Sequence, residues 1–396
     1  MARRSMPLLL LLYGCIFFST LAAAEDNDEA ALLAFKEAAV GSNSNALASW
    51  NGSTNGGHCS WEGVRCRSTD RRVVALSLRS HGLTGILSPA VGNLSSLMVL
   101  NLDSNGLTGN IPESLGRLRH LRYLNVSHNA FSGLFPANLS SCTNLIEIDV
   151  TVNSLSGKVP AELGVKLKRL EFLHLRRNNF TGGIPASLGN LSSLSSLDLS
   201  ENQLKGTIPA SLGVLKDLRY LDLAFNNLSS ETPASLYNLS SLISLQIQSN
   251  MLNGSIPNDS SRFPSMLILD LHANQFTGPI PASVSNLTSL QSLKLAENRL
   301  SGYVPRTLGR LRALQYLILS HSTLEADDGE GWEFIASLSN CSQLRQLDFT
   351  GNGAFIGHLP SSIVNLSTTL QYLGFGDTGI HGSIPSGIGN LTASAS

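Results

Sequence analysis

The sequence predicts a solenoid of the α/β class: a right-handed superhelix with short parallel strands on its concave face and a helical cap at its N-terminus. Two observations carry that expectation. Leucine makes up roughly one residue in six, and the pattern L-x-x-L-x-L-x-x-N-x-L-x-G-x-I-P recurs from near Val74 to Leu391. Its asparagine falls at Asn105, Asn129, Asn153, Asn178, Asn202, Asn226, Asn250, Asn274 and Asn298, at intervals of 24 residues with a single 25. His81 holds that position before the series, and Ser322, Asn352 and Thr378 hold it afterwards. The pattern therefore runs about 13 times, and units of this kind bury a core only by stacking on their neighbours.

A period of 20–29 residues with this leucine spacing defines a leucine-rich repeat. In Leu197-Asp198-Leu199 alternate side chains point to opposite faces of a short strand, so the leucines turn inward and Asp198 outward. Parallel strands about 4.8 Å apart would give a sheet roughly 60 Å long over the whole array. The asparagine amide has two donor hydrogens and an acceptor oxygen, enough to satisfy backbone groups where the chain leaves the strand. Ser322 and Thr378 are expected to do part of that work, and His81 less of it. Gly109, Gly206 and Gly278 suit a turn, and Pro112, Pro209 and Pro281 fix an extended return path.

The first repeat needs a cover. Residues 28–40 read as an amphipathic helix offering Leu32, Leu33, Phe35 and Ala39, with Trp50 and Trp61 in the adjoining loop. Cys59 and Cys66 lie close enough in sequence to close a small loop there, giving a cap over 25–72. Cys142 and Cys341 sit far apart within the repeats and read as buried small apolar residues. No paired Cys or His spacing points to zinc, so no metal and no cofactor are expected. Ahead of the cap, Arg3 and Arg4, the apolar Leu8–Leu12 and Ala22-Ala23-Ala24 spell a secretory signal over 1–24. No later segment reaches about 20 consecutive apolar residues, so none is expected to span a bilayer. The repeats occupy 73–391, with an uncapped tail at 392–396 that leaves the leucine core open and prone to fraying beyond about Leu366.

Charge excludes one class of partner. Lys and Arg total 27 against 28 for Asp and Glu, a net charge of −1, and charged residues are only 14% of the chain. Nucleic-acid binding needs clustered basic residues, and none are present.

The motif Ser49-Trp50-Asn51 followed by C-S-W-E-G-V-R-C at Cys59–Cys66 resembles the N-terminal cap of plant leucine-rich-repeat receptors. The L-x-G-x-I-P half of each repeat is similar to the plant-type variant. The insertion at 324–341, L-E-A-D-D-G-E-G-W-E-F-I-A-S-L-S-N-C, resembles one in receptor kinases of the pattern-recognition branch, which includes the flagellin receptor. That resemblance implies a glycosylated ectodomain, secreted or on the extracellular side of the plasma membrane. It also implies a peptide or protein ligand, a co-receptor ectodomain as a further partner, and a role in defence or development. The chain has no Gly-rich phosphate loop, no H-R-D and no D-F-G, so no kinase activity is expected of it. The alternative is a secreted inhibitor or decoy resembling the polygalacturonase inhibitors, a family whose C-terminal cysteines this chain lacks.

Binding in a solenoid is expected on outward residues of the concave sheet. Phe172, His174, Arg176, Arg177, Tyr220, Asp222 and Phe225 combine aromatic and arginine side chains, the mixture enriched at interface hot spots. Arg176 and Arg177 could grip a peptide carboxylate through paired donors, the alternative being that Arg177 only pairs with Glu201 across adjacent strands. Asp198, Asp222 and Asp270 recur at one register, which repeat grammar explains better than catalysis. An open, wet sheet lacks the pocket that would separate two carboxyl pKa values. Asp327 to Glu330 is expected to start a helix carrying Trp332, Ile335 and Leu338, with the acidic residues at its N-terminus. Sequons for N-glycosylation stand at Asn51, Asn93, Asn125, Asn138, Asn179, Asn190, Asn227, Asn238, Asn253, Asn258, Asn286, Asn340, Asn365 and Asn390. Asn125 is at an outward strand position, where a glycan would close off the surrounding repeats to a ligand.

Overall fold

The computed structural model describes residues 27–43, 45–51, 57–258, 263–327 and 330–392. The signal segment and the tail beyond 392 lie outside the described residues, as does Asp328 of the insertion. Two compact units make up the chain, Met1–Asn179 and Phe180–Ser396.

In the first unit, helix α1 (27–39) buries Asp28, Ala31, Leu32, Phe35 and Ala39. Leu33, expected on the buried face, is 41% exposed. A 3.6-residue period puts 28, 32, 35 and 39 on one stripe and turns 33 about a quarter-turn away. Phe35, Trp50 and Trp61 form an aromatic stack, with Trp50 and Trp61 centroids 5.3 Å apart. Cys59 and Cys66 are disulfide-bonded. Strand Val64–Cys66 pairs antiparallel with Val73–Ser77, the first strand of a parallel series. The buried carboxylate of Asp28 fastens helix to sheet. It accepts two hydrogen bonds from Arg72, at 2.8 and 2.9 Å, and one from the Val73 N–H at 2.9 Å.

The series continues through Val99–Asn101, Tyr123–Asn125, Glu147–Asp149 and Phe172–His174, in register at Leu76, Leu100, Leu124, Ile148 and Leu173. All five central side chains are fully buried, as strand alternation requires. A second parallel set, Thr108–Asn110, Ala130–Leu134 and Ser154–Lys158, runs alongside. Short 3-10 turns carry the chain back, entered through an extended proline such as Pro112 or Pro136, except the first, which Ser88 caps. The one 25-residue interval, from Asn153 to Asn178, has a local cause. Its return segment is an α-helix, α2 (Ala161–Lys166), in which the Leu167 N–H bonds the Leu163 carbonyl, four residues back. The usual turn bonds three back, as Leu118 does to Leu115, so the wider turn absorbs the extra residue.

The second unit repeats the plan. Its first sheet runs from Ser196–Asp198 through Tyr220–Asp222, Ser244–Gln246, Ile268–Asp270, Ser292–Lys294, Tyr316–Ile318 and Gln346–Asp348 to Tyr372–Gly374, all parallel and paired residue for residue. Glycine is needed for two different reasons. Gly278 has φ of +76° in the second strand set, the left-handed region that a side chain strains. A Cβ on Gly189 would clash with the Ser211 carbonyl oxygen, because successive 3-10 turns pack backbone to backbone.

The repeating asparagine does what its amide allows. Asn226 accepts from the Leu204 N–H at 2.9 Å and donates to the carbonyls of Leu199, Leu223 and Ala224 at 3.0, 3.2 and 3.1 Å. Each such residue ties its own turn to the preceding repeat. His81 keeps one of these bonds, from Nδ1 to the Arg79 carbonyl, and Thr378 keeps one to the Phe375 carbonyl. Ser322 was expected to help and does not. Its buried Oγ has no hydrogen-bond partner among the described residues, because a hydroxyl is one bond shorter than the amide it replaces. Ser322→Asn should therefore raise stability by about 1 kcal/mol. Urea unfolding of both proteins checks this; an unchanged or lower midpoint would refute it.

The insertion is absorbed into the core. Glu330–Trp332 forms a 3-10 turn and α3 spans Glu333–Leu338. The helix thus begins later than Asp327, with Trp332 just ahead of it and only Glu333 acidic in its first turn. Asp327 instead accepts a hydrogen bond from the Tyr303 hydroxyl at 2.9 Å. Trp332, Phe334, Phe349 and Phe355 form one buried aromatic cluster, which the leucine pattern does not announce.

Candidate ligand-binding surface

Within a strand such as Tyr220-Leu221-Asp222 the flanking side chains face out while the leucine faces the core. The last outward residues lie in the turn that follows, ahead of the asparagine. Many outward carboxylates and amides serve that turn. Asp149, Asp198, Asp222, Asp270 and Asp348 each accept from the N–H two residues on, and so do Asn101 and Asn125. The aspartate row is thus part of the backbone scheme.

In the first unit Tyr123, Glu147 and Phe172 stand side by side, as do Asn125, Asp149 and His174. The rings of Phe172 and His174 meet edge to face at 6.2 Å. Burial, and then the neighbouring Asp149 charge, push the Glu147 carboxyl above its usual value against the pull of His174. Arg176 and Arg177 are exposed, while their carbonyls are held by the N–H groups of Val152 and Asn153. A fixed backbone under two exposed guanidinium groups suits bidentate recognition of a carboxylate.

Asp103 is spent inside the fold. Burial raises its carboxyl pKa, but hydrogen bonds from Ser127, Ser104 and His128 and the charge of Arg79 prevail and hold it below the ordinary value. Asn125 is the half-buried exception among the described sequon side chains, the others being exposed; that of Asn390 lies outside the description. Its Oδ1 accepts from the Ser127 N–H and hydroxyl, and its Nδ2 is 3.5 Å from Asp149 Oδ2. Cys142 and Cys341 are buried free thiols, each pushed up to about 11 by desolvation, which keeps them protonated.

In the second unit Tyr220 and Phe225 are about half exposed, and Phe225 has φ of +53° in the turn before Asn226. Tyr220 is in register with Ser244, Ile268 and Ser292; Asp222 is in register with Gln246, Asp270 and Lys294. Asp270 is 3% exposed, with His272 Nδ1 at 2.6 Å and Lys294 Nζ at 3.4 Å. Glu147 and Asp149 in the first unit, and Gln246, Gln248, His272 and Lys294 in the second, were missed in the sequence. Each has an ordinary surface composition, and its role is visible only beside residues one repeat away. The seven expected residues divide between the units, with Phe172, His174, Arg176 and Arg177 in the first and Tyr220, Asp222 and Phe225 in the second.

No described helix is long and apolar enough to cross a membrane. A family model described as a leucine-rich repeat region matches residues 75–330, and one described as a leucine rich repeat N-terminal domain matches 25–67. Receptor kinase-like protein Xa21 of Oryza sativa subsp. japonica is 51% identical over 74 residues, which are 18% of this chain and 7% of that protein. The crystal structure of PEPR1-AtPEP1 superposes with a TM-score of 0.83 at 32% identity, over 91% of this chain and 50% of that one. The Arabidopsis receptor kinase HAESA, solved with the peptide hormone IDA and the co-receptor SERK1, gives a TM-score of 0.53 at 26% identity. That match covers 92% of this chain and 76% of that one. The chain thus spans about half of the first of these solved chains and a small part of the kinase.

Proposed function

Since the chain belongs to the leucine-rich repeat family, with that family's N-terminal domain ahead of the repeats, we propose that it is the extracellular recognition part of a plant receptor-kinase-type protein. Its ligand is a peptide or protein that reports a defence or developmental signal, and a co-receptor completes the signalling assembly. The observation that carries this reading is the pair of exposed residues Arg176 and Arg177 in the turn that follows the strand bearing the Phe172 and His174 rings. Tyr220, Asp222 and Phe225 form a second contact surface in the other unit. Glycans on the exposed sequons shield the remaining walls.

The test is a display library of linear peptides with free C-termini, selected on the full chain. Enriched peptides should prefer the free acid over the C-terminal amide. Replacing both arginines by alanine should weaken binding about 10- to 100-fold, since a charged hydrogen bond contributes about 1.5–3 kcal/mol, and should erase that preference. A library that yields no peptide would refute the recognition reading; peptides indifferent to both arginines would refute the carboxylate grip.

A further inference from the structure

Gln248 is placed where the fold supplies it with nothing. The residue is 8% exposed, and its Oε1 is buried without a hydrogen-bond partner among the described residues. The cause is its neighbours. One repeat earlier the same position is Ala224, which has no polar side chain, and one repeat later it is His272. His272 has its Nδ1 2.6 Å from Asp270 Oδ1, so that nitrogen carries the proton and donates it to the carboxylate. Equivalent positions elsewhere in this unit are small, as at Ser200, Ala224, Ala296 and Ser320. A large polar side chain buried there without a partner lowers stability for no structural return.

We infer that Gln248 is a recognition residue whose side chain turns outward so that its Oε1 accepts a main-chain N–H of an extended peptide lying across strands Tyr220–Asp222, Ser244–Gln246, Ile268–Asp270 and Ser292–Lys294. Exposed Tyr220 and Ile268 at the strand starts, and Phe225 in the turn, offer apolar contacts to separate side chains of that peptide. Lys294, held by Asp270, puts positive charge on this strand face and disfavours a cationic donor over a neutral amide. This rests on the peptide-recognition reading and adds the group recognised and the residue that recognises it.

Gln248→Met and Gln248→Leu keep the side chain's approximate volume and remove the unsatisfied oxygen. Both should raise the melting temperature, by about 2 °C, because removing an unpaired buried polar group removes its desolvation cost. Both should also weaken the library-selected peptides more than 10-fold. N-methylation of those peptides, one residue at a time, should find a single position that costs more than 10-fold on the natural chain and nothing on Gln248→Met. A melting temperature lowered in both variants would overturn the inference by giving Gln248 a structural partner. Selected peptides that ignore Gln248, or bind it with no sensitive main-chain position, would overturn it while leaving peptide recognition standing. A library without binders would remove both.

Discussion

Asn226→Leu should destabilise the unit Phe180–Ser396 by about 1–3 kcal/mol. The Leu204 N–H loses its partner outright, while the carbonyls of Leu199, Leu223 and Ala224 each lose one donor and keep another, from Asn202, Asn250 and the Glu201 N–H. The substituted side chain fills the space but offers no donor or acceptor, and an unsatisfied buried group costs about 1–3 kcal/mol. The loss should be local in origin, because a repeat array is held by nearest-neighbour interfaces. Hydrogen exchange measures it directly, with the Leu204 amide losing protection first. A destabilisation under about 1 kcal/mol in urea would show that the turn finds other partners and would end the argument. Asn226→Asp keeps the acceptor and loses the donors, so it should fall between leucine and the natural residue.

Asp28→Asn should cost about 3–5 kcal/mol in the first unit. Asp28 is fully buried and is the counter-charge for Arg72, whose guanidinium pKa is raised chiefly by its hydrogen bonds to that carboxylate. The amide keeps one acceptor oxygen, turns a hydrogen-bearing nitrogen toward the Arg72 donors, and leaves the arginine charge with only the weaker influence of Asp70 to compensate it. Because the same carboxylate accepts from the Val73 N–H, helix α1 should come away from the sheet before the repeats melt. Far-UV circular dichroism with tryptophan fluorescence from Trp50 and Trp61 separates the two events. Coincident transitions, with no early fluorescence change, would show that Asp28 does not hold the cap.

Much of this was legible because its causes are local. The inward leucines follow from alternation in a strand, and the turn role of asparagine follows from its amide. The lone 25-residue interval announced a change that the α-turn at Ala161–Lys166 then explained. Errors arose where the answer depends on direction or reach. Leu33 has the right composition and faces the wrong way, and Ser322 has the right polarity and falls short. The insertion read as a helix, but its packing as a four-ring cluster with Phe349 and Phe355 could not be read from a segment that contains neither.

The sequence by itself determined the period, the inward face, the capping segment and the family, since each follows from spacing along one chain. Tertiary structure alone decided which outward polar residues are consumed and which are available. Asp103 is taken by Ser127 and His128, Asp270 by His272 and Lys294, and the oxygen of Gln248 by nothing among the described residues. The reason is physical: a concave side chain finds its partners one repeat away, about 24 residues along the chain and about 5 Å across the sheet.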